Sequence, residues 1–338
     1  MKKPMNAEIL KAKERLDAGK LVGMPTETVY GLAARIDLLK AVEQIFTVKE
    51  RPFFDPLIVH ISSVEQAKTV TTHWGKAAQV LADNFWPGPL TMVLPRAATV
   101  NEMITSGLPT VGIRMPAHPM AQELIKAVGV PLAAPSANKF GRTSPTSAAH
   151  VRSEFINDDV YVLEGGDCQI GIESTVLLLK EENNKAIFSV LRKGHVVRSD
   201  IEQALKKAQV PFEYLEAVSK KESPGHMKHH YMPAIPLILV KSELSVQEII
   251  NAAEKALNEM PDVVEDVKIQ KPQNKIQKIV ELKLSSDAAL ASRELYASMR
   301  KSAESGADLI YFKMKPAHLN EHWEGIFDRL TKAASLIL

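Results

Sequence analysis

Two cations and a histidine stand close together in Lys49-Glu50-Arg51-Pro52-Phe53-Phe54-Asp55-Pro56-Leu57-Ile58-Val59-His60. Far downstream comes a second unusual run, Pro135-Ser136-Ala137-Asn138 followed by Arg142-Thr143-Ser144. Lys and Arg neutralise phosphate charge, and short hydroxyl and amide side chains on a turn let backbone approach a nucleotide. Together the two runs point to a polyphosphate site, although each alone has an ordinary reading. Lys49 and Arg51 at a helix C-terminus also suit the helix dipole as solvated cations. His60 beside an apolar strand also suits a core or surface histidine, Ser136-Ala137-Asn138 suits an Asx-type turn, and Arg114 suits a strand-end ion pair. The residues by themselves leave both readings open.

These side chains need elements to position them, and the pattern of the chain is α/β. Ala7 to Ala18 carries Ile9, Leu10, Ala12 and Leu16 at helical spacing and stops at Gly19. Leu21-Val22-Gly23-Met24-Pro25 reads as a buried strand, and the polar run Thr26-Glu27-Thr28-Val29-Tyr30-Gly31 after it is a common place for a ligand. Leu38 to Val48 is a helix that delivers Lys49 and Arg51 at its end, and Leu57 to Ile61 is the next strand. Further strands are expected at 90–94, 110–114, 132–134, 161–163, 175–179 and 188–192, with a helix at 118–128.

At 338 residues two domains are the natural prior, with 45% hydrophobic and 24% charged residues enough for a sizeable core. A helix at 200–208 ends the first domain, taken as 6–208. A proline-bounded stretch holding His226, His229, His230, Tyr231 and Pro233 reads as a linker over 209–235, and a small α/β domain fills 236–338. Its expected elements are a strand at 236–240, helices at 246–257, 288–305 and 323–336, and a strand at 309–312. Residues 261–277 are polar and lysine-rich without a clear assignment.

Composition removes several function classes. The net charge of +2 argues against coating nucleic acid by bulk charge. Cys168 is the single cysteine, which removes an intrachain disulfide and a multi-cysteine zinc site, and it reads as a loop or buried thiol. The three linker histidines lack the partners of a metal site and read as solvated. The lysines of 268–283 read as a solvated face for want of interleaved aromatics. Trp86-Pro87-Gly88-Pro89 reads as a structural turn. Phosphate-loop, dinucleotide and hydrolase fingerprints are absent. No apolar run approaches the roughly 18 to 20 residues that span a bilayer, and the N-terminal run lacks a signal-peptide core, so a soluble cytoplasmic protein without membrane contact is expected.

Pro25-Thr26-Glu27-Thr28-Val29-Tyr30-Gly31-Leu32, Lys49-x-Arg51-Pro52 leading to Pro56-Leu57-Ile58-Val59-His60, Pro135-Ser136-Ala137-Asn138, Glu173-Ser174-Thr175-Val176 and Arg192-x-Gly194 occur in the order shown by the YrdC/Sua5 family. The chain resembles the longer, two-domain Sua5 type over nearly its whole length. That resemblance implies a YrdC-like twisted mixed sheet with helices, followed by a small Rossmann-like domain. It implies threonylcarbamoyl-AMP synthase activity, a nucleotidyltransferase reaction. L-threonine, bicarbonate or CO2 and ATP, with Mg2+ on the nucleotide, give L-threonylcarbamoyladenylate and pyrophosphate for modification of adenosine 37 in tRNA. A downstream tRNA threonylcarbamoyl transferase and transient tRNA contact are implied as partners.

By the same resemblance Thr28, His60, Arg114, Ala134 and Ser174 form the threonine pocket. Arg51, Asp55, Thr110, Ser136, Ser144 and Arg192 form the ATP pocket, with Asn138 on a turn or a phosphate oxygen and Tyr231 as a lid. Lys49 and Arg51 are the expected catalytic cations, and no metal cage is expected in the protein. Three positions depart from the family: Glu50 replaces a usual glycine, Asp55 a usual asparagine, and Leu178 a frequent aspartate. Asp55 is expected to weaken nucleotide binding unless it faces a cation. Two rival functions stand beside the synthase: an RNA-binding or ribosome-maturation protein without turnover, and an enzyme that adenylates carbamoyl phosphate. The cysteine-rich domains that accompany the latter chemistry are missing.

Overall fold

A computed structural model describes residues 6–216, 229–261, 263–264, 267–268, 271–272 and 275–338. The chain divides into two compact units. The first holds the chain up to Lys139, Pro145–Gln169 and the described residues from Glu173 to 216, and the second holds Phe140–Ser144, Ile170–Ile172 and the described residues from 229 on.

The first unit opens with α1 (Ala7–Asp17), where the Asn6 side chain accepts from Glu8 N and Ile9, Ala12 and Leu16 form the buried stripe. There follow β1 (Leu21–Met24), β2 (Gly31–Arg35), α2 (Leu39–Lys49), β3 (Ile58–His60), α3 (Val64–Val70), α4 (Lys76–Phe85), β4 (Leu90–Pro95), α5 (Glu102–Thr105) and β5 (Thr110–Arg114). The unit continues with α6 (Pro119–Val128), β6 (Leu132–Ala133), α7 (Ala148–Glu154), β7 (Val160–Val162), β8 (Thr175–Glu182), β9 (Lys185–Arg192), α8 (Arg198–Lys207) and β10 (Phe212–Tyr214). The strands form one mixed sheet in the order β10-β9-β8-β4-β5-β3-β6-β2-β1-β7.

Strand alternation gives this sheet two different faces. Val59, Met92, Val111, Ile113 and Leu177 point into the main helix-covered core. On the opposite face, α1 and α6 cover the β1, β2 and β6 region through Ile9, Leu16, Leu124 and Ile125. Over β3, β4, β5 and β8 that second face carries a shallow cleft, lined in part by Ile58, Thr91, Val93, Thr110, Gly112 and Val176. Leu178 belongs here, packed with Val93, Val176 and Leu191, so an apolar residue suits this position.

The second unit contains β11 (Leu237–Val240), α9 (Val246–Glu259), β12 (Val263–Val264), β13 (Val267–Lys268), β14 (Ile279–Glu281), α10 (Ala288–Ala303), β15 (Leu309–Lys313), α11 (Glu324–Ala333) and β16 (Leu336–Ile337). Its main sheet, β14-β15-β11-β16, is wholly parallel. The stretch expected as a linker is structured at both described ends. Phe212–Tyr214 pairs with β9 in the first unit, while in the second Met232 bridges Arg142 and accepts from Thr143 N at 3.2 Å. His229 and His230 are buried rather than solvated, and Phe140 and Tyr231 pack edge-on against His230. His226 lies outside the described residues; of the 268–283 lysines, Lys275, Lys278 and Lys283 are exposed as expected, while Lys271 is half-buried and donates from Nζ to Met260 O. Among the described residues no helix is long and apolar enough to cross a membrane.

Candidate active site

Strand register builds a polar floor on the sheet face that also carries the cleft. β3 and β5 are parallel neighbours with His60 opposite Arg114, so an imidazole and a guanidinium lie side by side on one face. Arg114 is buried, and its Nη2 donates to Glu27 Oε1 at 2.7 Å while its Nε donates to Gly88 O at 3.2 Å. Glu27 Oε2 accepts from Ala117 N at 3.0 Å. Among the described residues Arg114 Nη1 has no protein partner, so the guanidinium keeps donors for a ligand. Burial, with the Arg114 cation beside it, pushes the His60 pKa down to about 3, so the ring is neutral at neutral pH. His60 Nδ1 lies 3.3 Å from Ile58 O and can only donate there, which leaves Nε2 as an acceptor.

Two turns flank this floor. In the turn after β1, Thr26 Oγ1 donates to Val29 O at 2.6 Å, accepts from Thr28 N at 3.2 Å, and sits 2.9 Å from Thr28 Oγ1. Gly31 bridges Ser136, and a Cβ at Gly31 would lie 3.2 Å from Ala134 Cβ, so the small residues bring the two turns together. Ala134 N donates to Ile58 O at 3.0 Å, tying the second turn to β3.

Lys49 is not a solvated helix-end cation. It is 1% exposed, and Nζ donates to Ser136 O at 2.6 Å and to Asn138 O. Burial, then the neighbouring Arg51 charge, holds its pKa well below the usual lysine value. Lys139 returns the tie by donating to Val48 O at 2.7 Å, so two lysines lock the end of α2 to the 136–139 turn. Between Lys49 and Arg51, Glu50 is left-handed (φ 55), and Arg51 N closes the helix on Phe46 O at 2.9 Å. That conformation is the physical reason a glycine suits this position.

Arg51 is also buried, donating from Nε to Asp55 O at 3.1 Å and from Nη2 to Pro56 O at 2.9 Å. Asp55 Oδ2 lies 2.8 Å from Arg51 Nη2, so the unexpected carboxylate does face a cation. Thr110 lines the cleft close by. On its other side Ser174 Oγ is 2.8 Å from Thr91 Oγ1 and accepts from Arg192 Nη2 at 3.1 Å, while Arg192 Nε donates to Ser174 O. Gly194 lies so close behind that a Cβ would come within 2.4 Å of Thr175 N, which accounts for the Arg192-x-Gly194 spacing.

Thr28, Lys49, Arg51, Asp55, His60, Thr110, Arg114, Ala134, Ser136, Asn138, Ser174 and Arg192 all belong to the first unit. Ser144 and Tyr231 belong to the second unit, where Tyr231 packs on Tyr296 at 5.8 Å and lies 5.4 Å from the Arg329 guanidinium. Glu27 and Gly88 were not anticipated as site residues; only the ligand-prone turn after β1 pointed towards Glu27. Cys168 is a buried thiol whose pKa burial pushes up to about 12. Among the described residues no group of three or more His, Cys, Asp or Glu side chains is placed to hold a metal.

Residues 14–194 match the family of Sua5, YciO and YrdC, described as "Telomere recombination", and residues 196–335 match "Threonylcarbamoyl-AMP synthase, C-terminal domain". The chain is 43% identical to a threonylcarbamoyl-AMP synthase of Pyrococcus abyssi over 66% of this chain and 65% of that one, just under two thirds of the relative's length. It is 31% identical to that of Schizosaccharomyces pombe over 94% of this chain and 85% of that one. A crystal structure of P. abyssi Sua5 complexed with L-threonine superposes with a TM-score of 0.77 at 33% identity, covering 99% of this chain and 97% of that one.

Proposed function

The chain belongs to the Sua5, YciO and YrdC family, and we propose that it catalyses formation of L-threonylcarbamoyladenylate and pyrophosphate from L-threonine, bicarbonate or CO2, and ATP, for modification of adenosine 37 in tRNA. The observation that carries this reading is Arg114, a buried guanidinium with unused donors, set beside the neutral His60 on the sheet face that carries the cleft. An amino-acid carboxylate supplies the charge such a group lacks. The relative whose structure holds L-threonine supports the same ligand.

Arg114 takes the threonine carboxylate, and the hydroxyls of Thr28 and Ser174 read its side chain and amine. His60 Nε2 accepts a hydrogen bond from the ligand without adding positive charge beside Arg114, while Ala134 keeps the wall close. The threonine amine captures CO2 as a carbamate, whose oxygen then attacks the α-phosphorus in line as pyrophosphate leaves, so no covalent enzyme nucleophile is needed. Catalysis is positioning together with stabilisation of phosphate charge.

In that scheme Arg51 and Arg192 face the phosphates, with Thr110, Ser136 and Asn138 holding the nucleotide. Lys49 acts through the Ser136–Asn138 turn it clamps. Asp55 orients Arg51. Ser144 and Tyr231, which the family resemblance assigns to ATP, belong to the second unit. Mg2+ enters bound to the triphosphate, its coordination supplied by phosphate oxygens and water. The product is a reactive mixed anhydride, which a downstream tRNA threonylcarbamoyl transferase consumes, with any tRNA contact transient.

The test is pyrophosphate release from MgATP and bicarbonate with and without L-threonine, for the native chain and a Lys49→Ala/Arg51→Ala double variant. Threonine-dependent release that the variant loses is expected. No release under any condition overturns the reading and favours binding without turnover.

A further inference from the structure

We propose that Glu27 is the positioning residue that fixes how the site grips the amino-acid carboxylate, an inference that rests on the function proposed above. Glu27 is 6% exposed, and both of its oxygens are engaged: Oε1 accepts from Arg114 Nη2 at 2.7 Å and Oε2 accepts from Ala117 N at 3.0 Å. The turn that carries it is held by Thr26 Oγ1, which bonds Val29 O and Thr28 N, so the carboxylate is delivered to one place.

Arg114 is consequently pinned along one edge, by Gly88 O at Nε and by Glu27 at Nη2. The end-on edge, through Nη1 and the second Nη2 hydrogen, remains for a ligand carboxylate in a single orientation. A long arginine side chain otherwise samples many rotamers, and ordering it at each binding event weakens binding. Glu27 removes that cost by holding the guanidinium in the ligand-ready geometry.

The choice of glutamate follows from the donors it faces. Arg114 Nη2 and Ala117 N both need acceptors, and a carboxylate offers two acceptor oxygens. A glutamine in the same place offers one oxygen and one NH2, so one of the two donors meets another donor. Glu27 acts on the carboxylate through Arg114, with its second oxygen anchored on Ala117 N, so its loss is expected to fall on carboxylate recognition and to spare the nucleotide.

The experiment compares the native chain with Glu27→Ala and Glu27→Gln. It measures L-threonine and L-threoninol binding by calorimetry, and KM for threonine and ATP by pyrophosphate release. The native chain is expected to prefer threonine over its carboxylate-free analogue. Glu27→Ala should narrow that preference by about 10- to 100-fold and raise KM for threonine in proportion, the scale of a lost charge-assisted contact, with KM for ATP within about twofold. Glu27→Gln should fall between the two, and it decides the matter if the alanine variant does not fold. A folded variant with the native threonine-to-threoninol ratio, or equal losses for threonine and ATP, overturns the proposal. Absence of threonine binding and turnover in the native chain overturns instead the function on which it rests.

Discussion

Replacing Lys49 by methionine separates what its ammonium does for stability from what it does for activity. Methionine fills much of the aliphatic stem and removes the charge. The ammonium is buried with the Arg51 cation nearby, and its pKa lies well below 10.5. Taking such an ion out of water costs several kcal/mol, and the substitution relieves that. Against this, Ser136 O and Asn138 O lose their donor, at about 1–3 kcal/mol for each stranded acceptor. The two effects oppose, so the net change in stability is expected within about 2 kcal/mol of zero. Activity has no such compensation. The 136–138 turn loses its tie to α2, and a misplacement of about 1 Å in a positioning element costs about 100-fold. The sign of the pH dependence follows from the same burial: between the lowered folded pKa and the unfolded value near 10.5, the unfolded chain binds the extra proton, so native stability rises with pH across that window and the variant lacks the rise. Urea unfolding followed by circular dichroism from neutral pH to about pH 10, with pyrophosphate release per folded molecule, measures both. A folded variant with near-native activity, or one destabilised by more than about 4 kcal/mol, refutes the reasoning.

His60→Gln should flatten acid destabilisation. The native imidazole has its pKa pushed down to about 3 from 6.5, so its stability contribution is present above pH 6.5 and lost as pH falls towards 3, with a slope of up to about 1.4 kcal/mol per pH unit. Urea midpoints at neutral and acid pH check this, and identical slopes for native chain and variant would count against a buried neutral ring. Gly194→Ala places a Cβ 2.4 Å from Thr175 N and 2.7 Å from Ser174 C. Backbone displacement should cost about 1–3 kcal/mol and lower threonine-dependent turnover more than the urea midpoint implies. Glu50→Gly should raise the urea midpoint slightly. The left-handed conformation of Glu50 (φ 55) costs a non-glycine residue about 1–2 kcal/mol, only partly offset by glycine's larger unfolded-state entropy. Its ion pair with Lys139 at 3.4 Å, from a side chain 75% exposed, contributes little. A lower midpoint would contradict this account.

Much of the site was decided by local pattern. The spacing of Thr110, Gly112 and Arg114, and of Ile58 and His60, already places each set on one face of its strand, because side-chain direction alternates along the backbone. The apolar stripe of Ile9, Ala12 and Leu16 likewise defines a helix face without help from the rest of the chain. The ordered motifs carried the family, since their residue types are tied to shared backbone needs such as the close approach at Gly194. Partners across the fold were a different matter. His60 meets Arg114 only through the β3 and β5 register, and Arg114 meets Glu27 across 87 positions of chain. Lys49 reads in sequence as either a solvated cation or a phosphate ligand, and only tertiary packing turned its ammonium onto Ser136 O and Asn138 O. The assignment of Phe140–Ser144 to the second unit follows from its pairing with Met232. Periodicity and turn chemistry are local properties of the chain, so the sequence determines which groups share a face. Which distant groups share a hydrogen bond depends on strand order and burial, and those are settled only when the whole sheet closes around its core.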